Sequence, residues 1–219
     1  GSLTLNGSAV GGGGGGGGAS LTNHANFVVG NGSTTGCYNF AVGCNTLFNM
    51  TVNSCNNFAQ GYYSLYSLTC GYGNFAVGFA AMSNNLTGCN NFAVGYQALN
   101  NNNNNYNIAI GYCALACSCN GNHNIALGCN AMGCGGNGGN NVAIGPLALY
   151  GNTYGRQNVA IGGRAAIQNR GGCFNTSIGY GSYSSMYGCC NISIGFDAGC
   201  TLGTMSKYNT IIGGVGPSG

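Results

Sequence analysis

The chain has 219 residues, of which 45 are glycine and only 2% are charged, whereas an average soluble domain is about a quarter charged. Its formal charge of +3 comes from Arg156, Arg164, Arg170 and Lys207 against Asp197; that is too thin a spread to make the basic stripe that neutralises a phosphate backbone, so nucleic acid is excluded as a partner. One acid and two histidines leave almost nothing to tune for acid–base chemistry, so no catalytic residue and no cofactor is expected, and no apolar run reaches the roughly 18 residues that would span a membrane.

In chain order, residues 1–10 alternate around Asn6-Gly7, which predicts an N-terminal β-hairpin arm. Residues 11–18 are a run of glycines. They read either as a flexible linker or as a tether that delivers the hairpin to a neighbouring subunit. Residues 19–213 are a repeat domain, and residues 214–219 form a C-terminal tail.

The repeat is anchored on an asparagine and closed by a glycine four positions later. The asparagines are Asn26, Asn39, Asn57, Asn74, Asn91, Asn107, Asn124, Asn141, Asn158, Asn175, Asn191 and Asn209. The glycines are Gly30, Gly43, Gly61, Gly78, Gly95, Gly111, Gly128, Gly145, Gly162, Gly179, Gly195 and Gly213. The asparagine spacings are 13, 18, 17, 17, 16, 17, 17, 17, 17, 16 and 18, a period of 17 in twelve copies. Such a unit is too short to close a core alone, and stacking in register is the logic of a parallel β-solenoid, or β-roll, of about twelve coils. The asparagines are expected to form a coil-to-coil amide ladder, and the glycines to turn the corner after each strand.

Within "NNFAVGYQAL", residues 90–99, Phe92 and Val94 alternate with Asn91, Ala93 and Gly95, the period of a short strand. The larger apolar residues, Phe92 and Val94, are assigned to the interior, while Ala93 and Ala98 are assigned to a face that lets another chain approach closely. The Phe92 slot changes from Phe to Ile, Val or Thr along the chain, which predicts a wider interior near the N-terminus. "YQAL" reads as a second strand or a bend. Tyr62, Phe79, Tyr96, Tyr112, Tyr180 and Phe196 share the slot after the glycine, either as a packing ladder or as an aromatic stripe for sugars or a partner chain.

Fourteen cysteines occur. Three pairs fall in equivalent slots of neighbouring coils, Cys37–Cys55, Cys117–Cys134 and Cys173–Cys189, and either bridge or form a buried thiol ladder. Cys117, Cys119 and His123 are the nearest approach to a zinc cluster, but structural zinc needs four ligands, so no metal site is expected. Among the N-x-Ser/Thr sequons, Asn31, Asn49 and Asn85 lie off the ladder and are the candidate N-glycosylation sites of a secreted chain. The final coil has no charged or amphipathic cap, which predicts that the solenoid ends stack on another copy.

The tandem N-[FIV]-A-[VI]-G-[YF]-x-A-[LM] units resemble the head repeats of trimeric autotransporter adhesins. They are more similar still to the repeats of phage tail-fibre and related surface-fibre proteins, over residues 26–213. The resemblance implies a β-roll built by three chains and located outside the cell, on a cell or virion surface. The reading is therefore an extracellular structural or adhesive fibre subunit that forms a homo-oligomer, as a lateral trimer or an end-to-end filament. The alternative is a solenoid whose flat face binds a surface glycan, another polysaccharide or ice, although the stacked Thr-x-Thr rows of an ice-binding face are lacking.

Overall fold

A computed structural model describes residues 3–5, 8–9, 26–30, 36–51, 53–117, 121–183 and 187–214. It is an all-β solenoid. Twelve parallel strands, β3 (Phe27–Gly30), β4 (Phe40–Gly43), β5 (Phe58–Gln60), β6 (Phe75–Val77), β7 (Phe92–Val94), β8 (Ile108–Ile110), β9 (Ile125–Leu127), β10 (Val142–Ile144), β11 (Val159–Ile161), β12 (Thr176–Ile178), β13 (Ile192–Ile194) and β14 (Thr210–Ile212), stack in sequence order in one sheet. Register follows the repeat, with Phe75 opposite Phe92, Ala76 opposite Ala93 and Val77 opposite Val94.

The inside and the outside of the strand are the reverse of the sequence expectation. Ala41, Ala59, Ala76, Ala93, Ala109, Ala126, Ala143 and Ala160 are fully or almost fully buried, whereas Phe92 is 37% and Ile110 41% exposed. Ala98 is likewise interior. The reason is geometric. Side chains two apart on a strand share a face, so an asparagine that points inward takes the alanine after next with it. The Phe-to-Ile change is therefore a change of the outer surface and does not set the width of the interior.

The large interior side chains come from the turn instead: Leu47, Leu65, Met82, Leu99, Leu115, Met132 and Leu149 are buried. "YQAL" is not a strand. Gln97 and Leu99 take φ of 51° and 52°, a left-handed conformation that ordinary residues avoid. The strain is offset by hydrogen bonds in both directions along the stack: Gln97 N donates to Phe79 O at 2.9 Å, and Leu99 N to Ala114 O at 3.0 Å. The residue before the ladder asparagine repeats the device, as at Asn90 (φ 55°) and Tyr106 (φ 59°).

At the N-terminal end, β1 (Leu3–Leu5) and β2 (Ser8–Ala9) pair antiparallel as a hairpin, and β1 pairs antiparallel with β3, matching Leu3 to Val29 and Leu5 to Phe27. The arm thus extends the sheet of its own chain and covers the edge of β3. The glycine run lies outside the described residues. At the other end, β14 is the outermost strand of the described sheet; Ile212 on it is 75% exposed, and Tyr208, two residues before it, 81%.

Candidate interaction surfaces

The ladder asparagines define the inner wall. Each Oδ1 accepts the backbone N–H of the next ladder asparagine at 2.8–3.0 Å, from Asn26–Asn39 through Asn191–Asn209. In most links the next Nδ2 donates to the same oxygen, as from Asn91 to Asn74 at 3.1 Å. The second Nδ2 hydrogen closes the coil on itself: Asn74 reaches Gly88 O at 2.7 Å, Asn124 reaches Gly138 O at 2.9 Å and Asn158 reaches Gly172 O at 2.8 Å. A short side chain with one acceptor and two donors is required, which only asparagine supplies at this reach.

The corner glycines Gly43 to Gly213 hold φ between 113° and 137°. Those from Gly43 to Gly195 also leave no space: a methyl at Gly162 would lie 2.6 Å from the carbonyl oxygen of Gly179, and at Gly95 it would lie closer still to that of Gly111, whereas one at Gly213, in the outermost coil, meets nothing within 4 Å. Backbone meets backbone from Gly43 to Gly195, so the neighbour cannot yield there.

Two of the three cysteine pairs are not bridged. Cys37 and Cys55 form a disulfide. Cys134, Cys173 and Cys189 are thiols, and Cys173 N donates to Cys189 Sγ at 3.3 Å, so that slot serves as a hydrogen-bond acceptor in place of a bridge. Cys119, of the zinc-like cluster, lies outside the described residues, among which no group of three or more His, Cys, Asp or Glu side chains is placed to hold a metal ion. His123 stacks on Tyr106 at 5.0 Å; His24 lies outside the described residues.

Of the candidate glycan acceptors, Asn49 is exposed and Asn31 lies outside the described residues. Asn85 is not an acceptor in the folded chain. It is fully buried, and its Oδ1 accepts Gly88 N–H at 2.7 Å. It belongs to a second interior column with Asn102, Asn152 and Asn169, all buried. The one sequence signal for that column is the recurrence of asparagine 11 residues after a ladder asparagine.

The outer face of the sheet is apolar except at Gln60, Thr176 and Thr210. Phe27, Phe40, Phe58, Phe75 and Phe92 stack with ring centroids 4.6–4.9 Å apart, followed by Ile108, Ile125, Val142 and Val159, with Ile110, Leu127, Ile144 and Ile161 beside them. Ile108 is 38%, Ile161 37% and Ile192 40% exposed. No charged side chain interrupts these strands.

At the corner, Tyr62, Phe79, Tyr96 and Tyr112 stack at 5.5, 5.1 and 5.1 Å, and Tyr180 and Phe196 at 5.8 Å. Phe79 and Tyr96 carry a stacked ring on each face, which fits a packing ladder better than a platform for sugar rings. Beside Tyr112, burial pushes the Cys113 thiol above its ordinary pKa, which favours the neutral thiol.

No helix among the described residues is long and apolar enough to cross a membrane. Comparison with protein-family models, curated proteins and solved structures gives no match.

Proposed function

We propose that the protein is an extracellular structural subunit of a fibre, related in design to tail-fibre and adhesin-head repeats, whose solenoids associate side by side through the outer sheet face. The observation that carries this reading is the apolar strip on β3–β14, which Gln60, Thr176 and Thr210 notch but which continues past each through the other outward residue of the same strand. Twelve strands at about 4.8 Å, each about 10 Å wide, present a projected area on the order of 500 Å², and contiguous apolar patches of that size on a soluble chain mark interaction sites. The surface around the strip carries almost no charge to keep copies apart, and the Cys37–Cys55 disulfide suits an oxidising compartment. A trimer buries three such strips against one another; end-to-end growth through the open edge of β14 is compatible with it.

Sedimentation of the full chain at micromolar concentration tests the reading. The expected result is a trimer or larger species, reduced to a monomer with an unchanged far-ultraviolet spectrum by the double substitution Ile110→Lys and Ile144→Lys. A native chain that sediments as a monomer overturns it.

A further inference from the structure

All five charged residues lie between Arg156 and Lys207, and the 155 residues before them carry none. Two of the cations meet at one place. Arg164 and Arg170, from the turn of one coil, line a cleft of about 360 Å³ together with Ile167, Gln168, Tyr150 and Gly151, within the size range of small-ligand sites. We propose that this cleft binds the carboxylate or sulfate of an acidic saccharide, the two guanidinium groups holding the anion while Tyr150, Ile167 and Gln168 meet the sugar ring.

The cleft is rigid at its base. Arg164 N donates to Pro146 O at 2.8 Å, Gly151 N to Ile167 O at 3.0 Å and Tyr154 N to Arg170 O at 2.7 Å, locking the coil that carries the arginines to the one that carries Tyr150. Arg164 has φ of 59°, so its side chain leaves the backbone in a direction set by the coil. Tyr150 packs over Gly133, where a methyl would come within 3.1 Å of the ring. A hydrogen bond with Cys134 raises the phenol's pKa, so this wall of the cleft stays uncharged.

Guanidinium forks pair with planar and tetrahedral oxyanions through two parallel N–H bonds. The only acid of the chain, Asp197, lines an adjoining cleft that it shares with Arg164 and Ile167; Arg156 lines a different one with His123. The cleft facing Tyr150 therefore carries two positive charges and no negative one. An apolar wall beside a paired cation and an amide matches a sugar, with its C–H face, hydroxyls and one anionic group, better than a bare ion. Both arginines are exposed, so the affinity is modest and falls as salt screens it over about 8 Å. The cleft is built from turn residues rather than the strands, so it is independent of the lateral association proposed above.

The test is calorimetric titration of the full chain with oligogalacturonate, dextran sulfate and neutral dextran at low salt and at high salt. Binding of either acidic saccharide, but not dextran, is expected. Arg164→Gln and Arg170→Gln should each weaken it by tenfold or more, with Arg156→Gln within twofold of the native chain and the sedimenting mass unchanged in all three. Equal binding of neutral dextran, undiminished binding in the Arg164 and Arg170 variants, or competition by free sulfate at equal molarity with the saccharide's anionic groups overturns the proposal.

Discussion

The coils that carry β4–β7 and those that carry β10–β13 share one interior and differ outside. Both place a ladder asparagine and a small residue inward, Asn91 and Ala93 in one, Asn158 and Ala160 in the other, all buried. Outside, the first group carries stacked phenylalanines and an almost unbroken aromatic corner and no charge. The second carries Val, Thr and Ile, breaks the corner with Pro146 and Gly163, and holds Arg156, Arg164, Arg170 and Asp197. The coil geometry is thus dictated by hydrogen bonds and close backbone approach, which tolerate no change, while the outer surface is free to differ along the rod.

If the interior is common property, the corner glycine should be equally indispensable in both regions. Gly95→Ala and Gly162→Ala each place a methyl against a carbonyl of the next coil at a φ that alanine resists. Each is expected to destabilise by about 4 kcal/mol or more, the range reserved for overpacking combined with backbone strain. Urea denaturation measures it, and a loss under about 1 kcal/mol at either site would separate the regions and undo the shared-interior account.

The assignment of inside and outside gives the next contrast. Ala93→Leu forces a large side chain into a filled interior and should cost about 2 to 3 kcal/mol. Phe92→Ala removes one ring from an outer stack and should cost about 1 kcal/mol, provided it is measured in the dissociated Ile110→Lys and Ile144→Lys background, where burial between copies does not contribute. In that background a loss of 3 kcal/mol or more at Phe92 would put the phenylalanines back inside.

That contrast also marks what could be read from sequence and what could not. The period, the strand positions and the solenoid are legible because the asparagine and the glycine never vary. The facing of the strand is misread if the larger apolar side chain is taken as core, which holds for wide cores but not for a coil of 17 residues, whose interior is filled by amides, alanines and, up to Leu149, one or two leucines or methionines per turn, with Ala166 and Tyr183 in that slot further on. Two sequence signals point the right way. Ala93 shares the parity of Asn91, and its slot is small in coil after coil, while the Phe92 slot wanders from Phe to Thr; a tight interior permits little change in volume. The left-handed residues Gln97 and Leu99 had no signal, because neither is a residue that favours that conformation and only the stack of neighbouring coils imposes it. The arginine cleft was equally hidden: Tyr150 and Arg164 are neighbours only once the coils are in register.

The smallest expected effect has the opposite sign. In β12 and β13 the interior alanine is replaced by Ser177 and Ser193, both buried, and neither Oγ has a hydrogen-bond partner. A buried hydroxyl without a partner costs about 1 to 3 kcal/mol relative to its hydrated state, and alanine fills the same slot at Ala143 and Ala160. Ser177→Ala should therefore stabilise the chain, by about 1 kcal/mol after allowing for the lost contacts of the oxygen. Thermal denaturation of the native chain and the variant at equal concentration measures the shift. A destabilised variant would show that the hydroxyl is bonded in solution, and the C-terminal coils would then differ from the N-terminal ones inside as well as out.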